Sequence, residues 1–385
     1  MGIQPSVLIR ILYFLVFCCT ASWLPVLADF CQNKGLTPVQ TSLILSTTPI
    51  MMFAVQPLYG FLADRFGYKR SLLIASLLAS MSYLLYLMDD GFYWILLSTF
   101  LMSVFYNTIQ PLLDSLSLKL VEVDKQLSYG SLRVAGALGW SITGLVIGQV
   151  IDQFDIRFIF LVSSISMAMF FVFALLMKNG DEEKLSVETL SLKGASRLVL
   201  NKQLMVLLTV VLLVSIAGTS IWNFYSLYMK ANGASATLVG YGLSLQGLFE
   251  IPFFYFSARI IARLGLRTTL LITVLATAVR LVLYSVVNTP SLALPIEILH
   301  GISWSLFWVI CVELVYKLVQ KELLATGQSL LYAAYYGAGA VIGNYWVGYL
   351  TEIGLSLPAL FLVNAGVVLL AVILIVTALR TNPQN

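Results

Sequence analysis

Residues 35–74 read GLTPVQTSLILSTTPIMMFAVQPLYGFLADRFGYKRSLLI, and residues 233–272, displaced by 198, read GASATLVGYGLSLQGLFEIPFFYFSARIIARLGLRTTLLI. Gly35 aligns with Gly233, Arg65 with Arg263, Gly67 with Gly265, and LLI with LLI. Each copy is a long apolar run, a break carrying glycine and basic residues, and a second apolar run. A helix needs about 20 apolar residues to cross hydrocarbon, so each copy reads as two membrane spans joined by a basic turn. A weaker echo, displaced by 200, pairs Gly139 with Gly339, Gly148 with Gly348 and Asp152 with Glu352. The duplication divides the chain into two parallel halves, the plan of a carrier that rocks about a site at the midplane between them.

The rest of the chain fits that division. It has 385 residues, 59% hydrophobic and only 10% charged, with a mean hydropathy of +0.93. Soluble domains carry roughly 25% charged residues, so a soluble enzyme, a disordered chain and a nucleic-acid binder are all excluded. The net charge of +4 is too small and scattered for a nucleic-acid partner. Apolar runs between polar breaks predict twelve spans. The first six cover about 6–29, 39–62, 70–88, 92–118, 128–151 and 156–177, and the second six about 203–228, 238–261, 267–287, 291–316, 326–350 and 356–379. The first run is too long for a signal peptide and lacks its cleavage pattern, so it counts as a span. The expected fold is an all-α membrane protein of twelve transmembrane helices in two pseudo-symmetric six-helix bundles.

With the N-terminus inside, seventeen of the 22 Lys and Arg residues fall in cytoplasmic segments or at their edges, and three (Lys34, Arg157, Lys230) fall outside. That asymmetry is the positive-inside pattern and places both termini in the cytoplasm. The longest polar stretch, Asn179 to Lys202, reads as a solvated linker. The expected organisation is therefore an N-terminal bundle over 1–178, a cytoplasmic linker over 179–202 and a C-terminal bundle over 203–385.

Catalytic chemistry finds no support. Cys18, Cys19, Cys31 and Cys311 form no CxxC pair, and His300 is the sole histidine, so no metal site is expected. No GxxxxGKS/T loop is present. The chain is read as non-enzymatic and without a cofactor.

Three ionisable residues stand where hydrocarbon should be. Arg280 lies inside LLITVLATAVRLVLYSVV, Glu250 about midway along the eighth span, and His300 in the tenth. A charge at the centre of a span costs about 2.5–3.5 kcal/mol on insertion scales, so such a group faces a cavity or a partner. Spans eight to ten can bring the three together. A carboxylate that moves between an arginine and an apolar setting can carry a proton; a static pair that staples two helices is the alternative. Glu297, His300, Trp304 and Trp308 follow helical spacing on one face.

In the first half, Asn107, Gln110 and Asp114 share a face of the fourth span, and Tyr129, Arg133 and Trp140 roughly share one on the fifth. Asp114 and Arg133 are expected at similar depth, either as a pair touching solute or as a gate, or else as a fixed ion pair. Trp222, Asn223 and Tyr225 on the seventh span, with Tyr332, Tyr335, Tyr336 and Asn344 on the eleventh, can stack on a ring or share hydrogen bonds. Aromatics also gather at bilayer interfaces, so packing is the competing reading for each.

The element Gly60-Phe-Leu-Ala-Asp64-Arg65-Phe-Gly67-Tyr-Lys69-Arg70 resembles the loop 2–3 signature of the major facilitator superfamily, with a weaker copy from Ala258 to Arg267. Pro111-Leu-Leu-Asp114-Ser115, Tyr129-Gly130-Ser-Leu-Arg133, Glu250-Ile-Pro252, Leu299-His300-Gly301 and Gly327-Gln328-Ser329 together look like the lactose-permease-like branch of proton symporters, which includes phenylpropionate and nucleoside permeases. The resemblance implies uptake of a small organic solute (an aromatic carboxylate, a nucleoside or a sugar) together with protons. It further implies alternating access, a monomer, and residence in a bacterial inner membrane. It makes the element from Gly60 to Arg70 a cytoplasmic gate. In the lactose-permease pattern a carboxylate follows the histidine by one turn, where this chain has Ser303. Glu250 thereby becomes the first candidate for the proton site, with Arg280 and His300 modulating it and Glu297 in reserve. The solute-contacting set is expected to comprise Asn107, Asp114, Arg133, Trp222, Asn223, Trp304, Tyr332 and Tyr335. A drug exporter would share loop 2–3 but usually carries a Gly-Pro pair in the fifth span, which is missing here. A non-transporting receptor is the alternative from another class.

Overall fold

A computed structural model describes residues 3–124, 127, 129–177, 198, 200–320 and 323–379; the side chains of 53, 56–66, 118 and 325 are also outside the description. Among the described residues the chain forms twelve helical rods and no strand. In the first half these are α1 (Pro5–Asn33), α2 (Pro38–Phe66), α3 (Tyr68–Leu85), α4 (Phe92–Val123), α5 (Tyr129–Gln153) and α6 (Phe158–Leu175). In the second they are α7 (Lys202–Ala231), α8 (Ala236–Leu264), α9 (Leu266–Val286), α10 (beginning at Pro290–Ala293 and ending in Phe307–Leu318), α11 (from Leu324–Tyr332 through Ala340–Glu352) and α12 (Leu357–Thr377). The expected linker over 179–202 lies almost wholly outside the described residues.

Eight of these rods are long and apolar enough to cross a membrane on length and composition alone; α2, α3, α8 and α11 are the others. In α8 the apolar run is diluted by Gln246, Glu250, Arg259 and Arg263, and in α11 by Gln328 and Asn344. Three of the four lie along the junction between the halves, where α5 packs on α8 and α2 on α11. The opposite situation holds at the periphery. Ile74 and Met81 on α3, Ile165 and Val172 on α6, Val279 on α9, and Leu370 and Ile373 on α12 are exposed. Exposed apolar area on that scale is a lipid-facing surface.

Two buried apolar cores match the duplication. One runs from Leu8 to Ala174 with a few side chains borrowed from the second half, and the other from Leu198 to Leu379. The offset-200 echo has a physical meaning within it. Gly139 on α5 lies against the Phe14 backbone of α1, and Gly339 on α11 against Ser215 of α7. Any side chain at either glycine would meet a neighbouring helix.

Local sequence explains the turns and breaks. Gly67 joins α2 to α3 at φ 90° and Gly265 joins α8 to α9 at φ 79°; a side chain is disfavoured in that region. α4 breaks at Asn107–Thr108 because Pro111 has no N–H to offer the Asn107 carbonyl. α10 departs from the continuous helix expected over 291–316. It opens as a four-residue helix after Thr289, tightens to a 3-10 stretch at Leu294–Ile298 around Pro295, and widens to a π-helix at Gly301–Leu306. α11 carries a matching π stretch at Ala333–Gly339. Such wide turns are frequent at functional sites.

Candidate functional site

Gly301 sets up the site. A side chain there would run into the Phe249 carbonyl and the Phe253 ring, so the glycine lets α10 lie directly on α8. The neighbouring His300 then points its Nε2 at Glu250 Oε1, 3.0 Å away. On the other side of the ring, Arg280 Nη1 is 2.8 Å from His300 Nδ1. A guanidinium only donates, so Nδ1 accepts and the imidazole proton sits on Nε2, where it is donated to Glu250. His300 is thus a neutral bridge between a carboxylate and an arginine.

Arg280 is itself pinned. Its Nη2 donates to Glu297 Oε2, and Tyr284 donates its hydroxyl to Glu297 Oε1. Gln246 Nε2 donates to the same carboxylate at 2.9 Å, and Arg280 Nε reaches the Tyr284 hydroxyl at 3.3 Å. Arg280, Glu297 and His300 are all buried. Burying an ion pair this deeply is tolerated only when further hydrogen bonds satisfy the remaining lone pairs, and Tyr284 and Gln246 supply them. Beside Arg280 lies a cavity of about 20 Å³, room for about one water, walled by Thr277, Ser303, Trp222 and Tyr335.

Aromatic side chains cover this charged layer. Trp222 stands edge-on to His300 at 5.1 Å and to Trp304 at 5.0 Å, and it donates to the Tyr335 hydroxyl at 3.2 Å. Trp304 stacks on Trp308 at 5.7 Å, Trp308 meets Tyr332 at 4.9 Å, and Tyr332 stacks on Tyr336 at 5.6 Å. From the first half, Trp140 closes on Trp222 at 6.4 Å.

The first half adds a second polar layer nearer the termini. Tyr13 donates to Asp114 at 2.5 Å, and Ser117 donates to Tyr13 at 3.0 Å. Arg133 donates to the Tyr129 hydroxyl at 2.5 Å and lies 3.6 Å from Asp114. Its guanidinium sits over the rings of Phe17 and Tyr129, both at 5.8 Å. Arg133 is within electrostatic reach of Glu250, Tyr332 and Tyr336 across the divide.

The structure therefore brings Glu250, Arg280, His300 and Glu297 into one network, and Trp222, Trp304, Tyr332 and Tyr335 into one aromatic wall. Asp114 and Arg133 meet in the other half. Asn107 and Asn223 are placed differently. Asn107 donates to the Thr48 carbonyl at 2.9 Å, tying the α4 break to α2, and Asn223 donates to Asn344 at 2.7 Å. In the loop 2–3 element, Gly60, Asp64 and Arg65 belong to α2, but their side chains are outside the described residues. Of the described members, Gly67 makes the turn, Lys69 donates to the Met177 carbonyl at the end of α6, and Arg70 is exposed.

Sequence reading missed Tyr284, Gln246, Tyr13 and the pair of buried Asp29 with half-buried Lys230 that joins α1 to α7. Tyr284 follows Arg280 by one turn and Gln246 precedes Glu250 by one turn, so helical spacing from the charged residues would have found both.

Comparison with known proteins agrees with this architecture. The model of the MFS_1 like family matches residues 7–363. The chain is 26% identical to the maltose permease of Geobacillus stearothermophilus over 342 residues, 88% of this chain and 86% of the permease. It is 25% identical to the uncharacterized transporter YwbF of Bacillus subtilis (strain 168) over 343 residues, 88% of this chain and 85% of that one. It is 24% identical to the probable 3-phenylpropionic acid transporter of Escherichia coli (strain K12) over 289 residues, 75% and 76% of the two chains. Among solved structures, the nucleoside transporter NupG superposes with a TM-score of 0.85 at 17% identity, covering 97% of this chain and 98% of that one. A D-xylose-proton symporter superposes with a TM-score of 0.75 at 13% identity, covering 97% and 98%.

Proposed function

The chain belongs to the MFS_1 like family, and on that premise we propose that this transporter imports a small organic solute together with protons, Glu250 being the proton carrier. The observation that carries the reading is a charge balance. Arg280 and Glu297 cancel, His300 is neutral while Arg280 occupies its Nδ1, and Asp114 cancels Arg133. Among the described residues of the two layers, Glu250 is the one carboxylate left without a counter-charge in contact. Protonating its free oxygen, Oε2, makes the whole central set neutral. An uncompensated charge in a closed apolar interior is costly, so the loaded and protonated carrier passes through the closed state more easily than the charged one.

Glu297 takes a different part in this reading. With donors on both oxygens it is a fixed node that holds Arg280, and through Arg280 the tautomer of His300. The solute would lie between the halves against Arg133, Trp222, Trp304, Tyr332 and Tyr335. Aromatic planes and a guanidinium suit an aromatic carboxylate, a nucleoside or a sugar, classes to which the named relatives' substrates belong. The two bundles would span 1–178 and 203–385 as a monomer in a bacterial inner membrane, with both termini in the cytoplasm by the positive-inside rule.

Uptake of labelled 3-phenylpropionate, uridine, maltose and xylose by proteoliposomes tests this. One of them should accumulate against its gradient when the outside is acidic, and a protonophore should abolish that accumulation. Accumulation indifferent to the protonophore, or none with any of the four, rejects proton-coupled import.

A further inference from the structure

The rods alternate in direction, so the ends of α1, α5, α7 and α11 and the starts of α2 and α8 lie at the end of the molecule opposite the termini. There the halves are joined side chain to backbone. Asp152, at the end of α5, accepts from the backbone N–H groups of Ala236 and Thr237 at 2.9 and 2.7 Å, at the first turn of α8. Glu352, at the end of α11, accepts from the backbone N–H of Val39 at 3.2 Å, at the first turn of α2. These contacts are equivalents under the duplication: Asp152 and Glu352 are 200 residues apart, and Val39 and Thr237 are 198 apart. The same helices touch through glycine just below, Gly148 against Ala236 and Gly348 against Pro38 and Ser42.

A helix N-terminus carries unpaired N–H groups and a partial positive charge, both of which a carboxylate satisfies. We infer that Asp152 and Glu352 are paired clasps that hold this end of the transporter shut, and that the α2–α11 clasp is the weaker and parts first. Two aligned positions differ: Thr237, whose side chain also bonds Asp152, stands where the first half has Val39, and the second concerns the backbone. The equivalent of Ala236 in the first half is Pro38, 198 positions earlier, and proline has no N–H to donate. Asp152 therefore holds two backbone donors and Glu352 one. Both carboxylates are exposed, so water replaces the lost bonds when a clasp opens and release is reversible. The half-buried Asp29–Lys230 pair closes the α1–α7 seam between them.

The test measures distance and so is independent of which solute, or whether any solute, is carried. Spin labels at Met88→Cys, in the turn after α3, and Leu292→Cys, in the short helix that opens α10, 70% and 58% exposed at the far end of opposite halves, are read by pulsed electron resonance in a background whose four cysteines are replaced by alanine. Combining Asp152→Ala with Glu352→Ala should raise the ratio of long to short distances about tenfold, the loss expected when helix-terminus contacts on both seams go. Asp152→Ala alone should raise it more than Glu352→Ala alone. Pro38→Ala, which supplies the missing donor, should return the Asp152→Ala distribution toward that of the parent. An unchanged distribution in the double variant overturns the inference, as does a Pro38→Ala substitution that restores nothing. If the alanine pair does not purify folded, Asp152→Leu with Glu352→Met, which keep side-chain bulk but carry no charge and accept no such hydrogen bond, are read by the same criteria.

Discussion

Arg280 Nη1 and His300 Nδ1 are 2.8 Å apart, and this contact fixes where the imidazole proton resides. Because His300 is the sole histidine of the chain, histidine-labelled protein gives a single imidazole signal in nitrogen-15 spectra. It should show a protonated Nε2 and an unprotonated Nδ1. In Arg280→Gln the amide can donate or accept, and the signal should no longer be locked to one tautomer. A wild-type spectrum with the proton on Nδ1 would contradict the assignment.

Glu250→Gln keeps the shape and an acceptor for His300 Nε2–H but removes the charge that protonation would neutralise. Proton-driven accumulation should fall to the level of simple equilibration, while exchange of solute across the membrane persists. Counterflow assays separate the two, and an undiminished gradient-driven uptake would move the proton site elsewhere.

Glu297→Gln should act on stability before it acts on transport. It leaves Arg280 buried and uncompensated, a change that costs about 3–5 kcal/mol when one member of a buried pair is removed. Tyr284→Phe leaves the ion pair in place and removes the hydroxyl's bond to Glu297, about 1.5–3 kcal/mol, with the longer 3.3 Å contact from Arg280 Nε. Thermal unfolding in detergent should order the variants as wild type, Tyr284→Phe, Glu297→Gln from most to least stable. A Glu297→Gln protein as stable as the parent would remove Glu297 from its holding role.

Two glycines give opposite expectations. A methyl group at Gly139 would strike the Phe14 carbonyl of α1, whereas nothing lies within 4 Å of the Cβ position at Gly366. Gly139→Ala should lower stability by about 1–3 kcal/mol through overpacking. Gly366→Ala, in the interior of α12, should leave it level or raise it by about 0.5–1 kcal/mol. Melting temperatures of the purified variants decide between them.

What the sequence made legible were the features whose cost is local. A charge inside an apolar run is visible without knowing its partner, so Glu250, Arg280 and His300 stood out, and the duplication declared itself at Gly35, Gly67 and their counterparts. Partners supplied from distant helices were not legible. Asp29 finds Lys230 across 201 positions, and Tyr13 finds Asp114 across 101, and no periodicity within one span records either. Asn107 looked like a solute ligand because its spacing to Asp114 suits one face, but Pro111 breaks the helix between them and turns the amide toward Thr48. The equivalence of Asp152 and Glu352 was readable, whereas its purpose required seeing which helix start each one faces.

The wide turns of α10 and α11 bear on how mutational scans of this protein are to be interpreted. Phase counted at 100° per residue from Leu318 backward drifts once it passes Leu306, and the same slippage recurs upstream of Ala340 on α11. A helical wheel drawn through either rod assigns residues on one flank of the bulge to the wrong azimuth. Sensitivity patterns there will look aperiodic although each position has a fixed and definite orientation.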